Sequence, residues 1–357
     1  MRILHLVKKF DFGGAENHVR DLANVMEEMG NEVFVIARKG KQNDLLNAGV
    51  NFITLSMFDC LIFFQVPYIV NLIRKNNIQV LHAHQRLPVL FASLAGKIAG
   101  IPVVATIHGQ TEHDLRSKFA RVIPDKFIYV RQSTFKESIR YGIPENKSVF
   151  IQNGVSITRT SEKRDFNSIC YISRIDKRHA SVISLIIKKV IVPVSSLYPE
   201  IKFNIVGDGS SLADLRQEAE NINKQLGREA VIIHGYVSDV KKIVNESGLI
   251  LGVGRVAIES LACGVPVLSV NYKCMGELVS VKNYAFFRIN NFVSLGSPPP
   301  DEASLIDALE SYFGNIPFWQ EEAVEIQKEI EKDFDILRIG KEITDLYSEV
   351  IAFQNQI

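Results

Sequence analysis

The sequence predicts an α/β protein built from two Rossmann-like domains that face each other across a cleft. Three observations predict it: apolar strand segments that do not alternate with polar residues, helical segments between them, and a second pass through the same order after a polar stretch. Strands that are apolar on both faces belong to parallel sheets covered by helices on either side.

The first pass begins with the apolar run at 3–7, a strand, which Gly13 and Gly14 interrupt before a helical segment at 15–29. Strands at 32–37 and 51–55, a helix at 67–76 and a strand at 79–83 follow. A helix at 88–99, strands at 102–106 and 127–130, and a helix at 132–141 complete the half. After Asn153-Gly154, residues 156–165 are polar and without apolar periodicity, which reads as a linker. The second pass runs through a strand at 168–173, a helix at 181–195, a strand at 201–206, the turn Gly207-Asp208-Gly209 and a helix at 211–224. It ends with a strand at 230–234, a helix at 238–246, a strand at 249–251, a glycine turn, a short helix and a strand at 266–270. Residues 302–353 are helical by period and charge alternation. The expected domains are 1–155, a linker 156–165, 166–335, and a final helix 336–357, whose crossing back onto the first domain the sequence leaves open. In open parallel sheets ligands sit beyond the carboxyl ends of the strands, which makes the interdomain cleft the expected site.

Composition excludes several classes. A length of 357 residues suits two domains, and 41 Lys and Arg against 40 Asp and Glu draw the chain neither to nucleic acid nor to a membrane by charge. The cysteines Cys60, Cys170, Cys263 and Cys274 have no metal-type spacing and read as reduced and mostly buried. The first strand is too short and too soon followed by Lys8 and Lys9 to be a signal peptide, and 57–73 carries too many polar residues to span a bilayer. A cytoplasmic location is the expectation, with peripheral contact at the inner face of the membrane left open.

The most informative stretch is 252–268, which starts Gly252-Val253-Gly254-Arg255 and carries Glu259 one helical turn after Arg255. Its glycines let backbone approach a ligand, and the helix behind them directs free N–H groups and a positive dipole end the same way. Arg255 adds a planar cation suited to phosphate oxygens, and Glu259 on the same helical face suits sugar hydroxyls. A diphosphate with a ribose is the ligand this pattern suggests. A βαβ crossover whose glycines only make the turn is the plain alternative.

Several short motifs, in order, carry a resemblance. They are Phe12-Gly13-Gly14-Ala15-Glu16-Asn17-His18-Val19, His82-Ala83-His84, Thr106-Ile107-His108-Gly109, Ser173-Arg174-Ile175-Asp176-Lys177-Arg178, Val206-Gly207-Asp208-Gly209, His234-Gly235-Tyr236-Val237 and the Glu259 helix. Over nearly its whole length the chain resembles the family 4 glycosyltransferases, nucleotide-sugar-dependent enzymes of the GT-B fold. The resemblance implies that Gly13 and Gly14 close toward the donor diphosphate and that His108 lies near the reacting sugar. It implies that Arg174 with Lys177 or Arg178 neutralises the diphosphate, which of the two being open. Gly207, Gly209, Gly254, Arg255 and Glu259 join the donor site, and the base contacts fall near Tyr236 and Val237. The chain departs from the family at position 251: most members place a glutamate eight residues before the one on the ribose, and here it is Leu251.

The family transfers a hexose or similar unit with retention and needs no metal or other cofactor. The implied partners are a nucleotide-sugar donor and a glycan or lipid-linked acceptor, with no nucleic acid, and the implied product class is a bacterial surface polysaccharide or lipopolysaccharide. A nucleotide-sugar epimerase of the same architecture and a non-catalytic nucleotide-sugar-binding scaffold are the rival readings; Leu251 keeps the second in play. Asp333-Phe334-Asp335 reads as solvated helix carboxylates rather than a metal motif, and His82 and His84 lack further ligands at zinc spacing. The apolar segment 60–64 either touches a lipid-linked acceptor or is buried under the first sheet, burial being the expectation.

Overall fold

The computed structural model describes residues 1–11, 13–109, 123–157, 163–237, 239–354 and 356. They form two compact units, Met1–Ser156 with Phe334–Ile357, and Ile157–Asp333. Of the expected linker, residues 158–162 lie outside the described residues, as does Phe12 of the first glycine motif.

In the first unit seven strands form one sheet: β1 (Arg2–Lys9), β2 (Glu32–Arg38), β3 (Asn51–Thr54), β4 (Val80–His84), β5 (Val103–Ile107), β6 (Lys126–Tyr129) and β7 (Ser148–Phe150). Their order is β3-β2-β1-β4-β5-β6-β7 and every pair is parallel. Successive residues of a strand face opposite sides, and both sides are packed. Ile3, Val33, Val35 and Val80 join a helix α1 (Gly14–Glu28), while Leu4, Leu6, Phe34, Ile36 and Leu81 meet helices α2 (Ile62–Lys75) and α3 (Arg86–Ala99). Two-sided burial is why these strands do not alternate. A fourth helix, α4 (Gln132–Arg140), follows β6.

The C-terminal helix Ile336–Gln354 belongs to this unit. Its Ile336, Ile339, Ile343, Leu346, Tyr347 and Val350 form one apolar stripe at helical spacing and pack with Val19, Leu22 and Val25 of α1. A Cβ on Gly340 would press on the Val25 side chain at 2.8 Å, so the close approach of these helices requires glycine there.

The second unit holds β8 (Asp165–Ile172), β9 (Lys202–Val206), β10 (Val231–Gly235), β11 (Ser247–Gly252), β12 (Val267–Val270) and β13 (Met275–Leu278), in the order β10-β9-β8-β11-β12-β13. The β12–β13 pair is antiparallel, an edge the expectation of parallel strands missed. Helix α5 begins at Lys177, four residues before the expected start, because Asp176 caps it by accepting from the Arg178 and His179 N–H groups. A π-turn at Ile186–Val190 links it to α6 (Ile191–Leu197), just ahead of Pro193, which has no N–H for the ladder. The run Lys177–Leu197 is long and apolar enough to cross a membrane. Its Ile183, Ile186, Ile187, Val190 and Ile191 are instead fully buried in the core of this unit.

Three further expectations need correction. The 60–64 segment is exposed: Phe63 and Phe64 are 86 % and 77 % accessible, and Leu61 and Tyr68 are also outside. α2 starts at Ile62 and turns Val66, Ile69, Val70 and Ile73 inward, which leaves Phe64, Pro67 and Tyr68 on the opposite stripe. Among the four cysteines Cys170 alone is fully buried, Cys60 being exposed and the others half-buried, and all four are unbridged. Asp333 is no solvated carboxylate, since it accepts from Tyr284 Oη at 2.9 Å and from Arg288 at 2.9 Å.

Candidate functional site

The second sheet reverses its strand order between β8 and β11, and the loops leaving the carboxyl ends of β8, β9, β10 and β11 lie along one edge. Such a switch point is where open parallel sheets bind ligands. β8 leads into the turn that bears Arg174, whose side chain is exposed. That turn is gripped from below by the turn after β9. The Ile175 N–H donates to Asp208 O at 3.0 Å and the Ser211 N–H to Ile175 O at 3.2 Å. A Cβ on Gly207 would overlap the Ser173 carbonyl oxygen and one on Gly209 would overlap that of Ile175; Gly207 also has φ +144°. The two glycines expected at the donor therefore hold the Arg174 turn in place by backbone packing.

Lys177 and Arg178 occupy the first turn of α5, not a strand end. Cations there oppose the helix dipole by about 0.3–1 kcal/mol each at exposed positions, so this corner is short of negative charge. Asp176 supplies some. Slight burial pushes its carboxyl up, but the His179 and Arg178 N–H bonds outweigh this and hold it below its ordinary value. Arg178 leans on Asp176 at 3.4 Å and on the face of Tyr272, 5.5 Å away. Lys177 is exposed, with no ion-pair partner among the described residues, which separates the two cations left open by spacing.

At β11 the strand runs through Leu251, fully buried between Tyr171 and Leu268 in register. A carboxylate at 251 would lie in the core, so this position now serves packing. Gly254 caps the next helix, Arg255–Ala262, with φ +63°, and donates its N–H to Asn291 O at 3.0 Å. Arg255 and Glu259 meet each other: Arg255 Nε donates to Glu259 Oε1 at 2.6 Å, with side chains 6 % and 25 % exposed. Arg255, expected on a diphosphate, is thus already half of a partly buried ion pair. Tyr236 is exposed and Val237 half-buried just past β10, whose last residue Gly235 accepts from the Gly207 N–H at 2.8 Å.

In the first unit the order reverses between β1 and β4. Gly13 and Gly14 start α1 just beyond β1, and nothing lies within 4 Å of a Cβ built on Gly14. Beyond β5 comes His108, half-buried. It stands in a cluster of five histidines with His5, His18, His82 and His84. His82 is held at both nitrogens: Nδ1 lies 2.5 Å from Tyr347 Oη and Nε2 2.6 Å from Thr106 Oγ1. Burial lowers the pKa of His5 to about 3 and puts those of His82 and His84 well below the ordinary value. These three are neutral imidazoles.

Comparison with known proteins shows the family. Residues 12–159 match the family described as Glycosyltransferase Family 4, and residues 167–314 match Glycosyl transferases group 1. The chain belongs to the family 4 glycosyltransferases. It is an enzyme of the hexosyltransferase type with the GT-B fold. A phosphatidylinositol N-acetylglucosaminyltransferase component of Arabidopsis thaliana is 22 % identical over 97 % of this chain and 81 % of its own length. A phosphatidyl-myo-inositol mannosyltransferase of Propionibacterium freudenreichii is 23 % identical over 75 % of this chain and 76 % of its own. Among solved structures, Anabaena HepE in complex with UDP and glucose superposes with a TM-score of 0.76 at 19 % identity, covering 98 % of this chain and all of that one.

Beside these candidates the structure of this glycosyltransferase places residues whose position is not legible in the sequence. His5 is a lone histidine in β1 that only the strand order brings to His84, and His18, part of the first glycine motif, meets His84 and His108 for the same reason. Gln85, directly after β4, has φ 72° and ψ 159°, a region costing non-glycine residues about 1–3 kcal/mol. Its side chain spans the switch point, donating to Glu16 at 2.8 Å and accepting from the Lys8 N–H at 3.3 Å. The strain is legible only once backbone angles are known. Arg164, placed in the expected linker, donates to the carbonyls of Cys263 and Gly264 that end the Glu259 helix, at 3.0 and 2.7 Å.

Proposed function

We propose that the chain transfers a hexose from a nucleoside-diphosphate sugar, with retention at the anomeric carbon and without a metal, to a lipid-linked acceptor. One observation carries the donor half of this reading. Arg174 and Lys177 project from the switch point of the second sheet beside the start of α5, a corner of positive charge and positive dipole that a diphosphate would neutralise. As the sugar departs, charge develops on the β-phosphate, and fixed cations and N–H groups stabilise it without reorganising. Glu259, directed by Arg255, is suited to accept from ribose hydroxyls. The solved complexes of HepE with UDP and with UDP-glucose make a uridine donor the first to try.

The test is a thermal-shift titration with UDP, GDP, ADP, CMP and their sugar conjugates, in EDTA. Binding at a hundred times the dissociation constant stabilises the folded chain by about 2.7 kcal/mol, well within detection. We expect one diphosphate to raise the melting temperature selectively. No shift with any of them sinks the donor site and leaves the non-catalytic scaffold as the reading.

The acceptor half rests on the exposed aromatic segment at Phe58, Phe63, Phe64 and Tyr68, with Arg74 and Lys75 exposed on the same helix. Exposed aromatic side chains on a helix that also carries cations at its far end suit the interface of an anionic membrane. Two relatives are named as acting on phosphatidylinositol lipids, and a lipid-linked intermediate of a surface polysaccharide or lipopolysaccharide fits the same geometry. Burying one Phe contributes about 1.5–3 kcal/mol. We therefore expect the double variant Phe63→Ser/Phe64→Ser to bind vesicles of phosphatidylglycerol and phosphatidylcholine at least about tenfold more weakly than the parent. Equal sedimentation of the two would remove the membrane contact from the reading.

A further inference from the structure

The histidines of the first unit are arranged as a chain. His5 Nδ1 lies 3.3 Å from His84 Nε2, and His84 Nδ1 lies 3.2 Å from His108 Nε2. In both pairs the ring centroids, 5.6 and 5.5 Å apart, are separated by the N···N distance plus two ring radii. The contacts therefore run head to head in the ring planes, as hydrogen bonds do, rather than face on face.

A neutral imidazole carries one N–H and one lone pair. His84 must then donate on one side and accept on the other, and the whole chain points one way or the other. The direction is decided at its inner end. His5 is fully buried, and no described residue partners its Nε2. If His84 donated to His5, the His5 proton would have to sit on that Nε2, a buried N–H without an acceptor. Orphaned N–H groups are the rarest kind of buried polar atom, at about 1–3 kcal/mol each. In the opposite direction no N–H is orphaned at the buried end. His5 Nδ1–H donates to His84 Nε2, and His84 Nδ1–H donates to His108 Nε2. His82 takes no part, because Tyr347 and Thr106 hold its two nitrogens.

We infer that His5 and His84 are positioning residues that fix His108 as the Nδ1–H tautomer, its Nε2 occupied as an acceptor. His108 Nδ1 can then act only as a hydrogen-bond donor, and its Nε2 is withheld from service as a base toward the acceptor hydroxyl. The role in the reaction rests on the glycosyltransferase reading of His108; the tautomer does not.

The experiment is a long-range ¹H–¹⁵N correlation spectrum of the full chain labelled at histidine, recorded with and without EDTA, with His84→Gln and His108→Gln used for assignment. We expect His5, His84 and His108 to be protonated at Nδ1. In His5→Leu the inner donor is gone, and His108 should become a mixture of tautomers while kcat falls roughly tenfold or more, with the donor KM little changed. His5→Asn places an amide N–H near the lost Nδ1 and should restore the single tautomer and much of kcat, which a purely structural role for His5 would not require. His108 protonated at Nε2 in the parent overturns the chain, as does a histidine spectrum that changes when EDTA is added, which would mark an ion site. The expected tautomers with kcat unchanged in His5→Leu would remove the chain from the reaction. Loss of the tautomer effect with transfer intact would refute this proposal and leave the glycosyltransferase reading standing.

Discussion

Arg174→Ala lowers sugar transfer by about 10²–10³, a loss of about 2.7–4 kcal/mol from the transition state, while the melting temperature stays at the parent value. The two halves of this expectation have separate causes. The Arg174 side chain is exposed on a turn whose backbone is held by Asp208 and Ser211, so the fold loses little when it is cut back. The departing diphosphate, in contrast, loses the cation nearest the switch point. The defect should appear in kcat more than in donor affinity, because charge on the leaving group grows as the bond breaks. Single-turnover rates and the dissociation constant of the diphosphate, measured on the same preparation, check this. Unchanged turnover in a folded variant removes Arg174 from the mechanism. Lys177→Ala should follow Arg174→Ala, whereas Arg178→Ala should matter less, since Arg178 already leans on Asp176 and Tyr272.

Gly207→Ala is expected to be the most damaging single methyl group in the second unit. Its Cβ would overlap the Ser173 carbonyl, and φ +144° is unfavourable for any L side chain. Overpacking of about 1–3 kcal/mol and backbone strain of about the same size act together. At roughly 2–4 °C per kcal/mol for a unit of this size, the melting temperature should fall by about 4–24 °C. Transfer should fall as well, because the turn displaced is the one that carries Arg174. Gly14→Ala is the control: nothing lies within 4 Å of the added carbon, and its melting curve should match the parent's. A Gly207→Ala protein that melts normally would mean that the two turns do not grip each other as described.

The motifs were legible where their meaning is local. Gly13, Gly14, Gly207 and Gly254 all sit at strand-to-helix turns, and at Gly207 and Gly254 the backbone is positive in φ, where glycine is favoured. What Gly207 and Gly209 touch was not legible, since the Ser173–Ile175 turn is distant in sequence. Arg255 was read as a phosphate ligand from its charge and its place at a helix start. The four-residue spacing to Glu259 equally allowed the ion pair that forms, and the burial of Arg255 decides between the two by making an unpaired guanidinium costly. The 60–64 segment was misjudged for a related reason. Its composition is that of a core, but the phase of α2 is set by Val66, Ile69, Val70 and Ile73, which claim the inner stripe.

By itself, the sequence determined two parallel α/β halves, their glycine turns and the family, because apolar period and turn chemistry act over a few residues. The tertiary structure alone decided that five histidines from β1, α1, β4 and the end of β5 converge, that Leu251 is core, and that the last helix completes the first unit. Those outcomes depend on strand order and on which atoms are removed from water. Both are properties of the assembled sheet, in which residues far apart in the chain become neighbours.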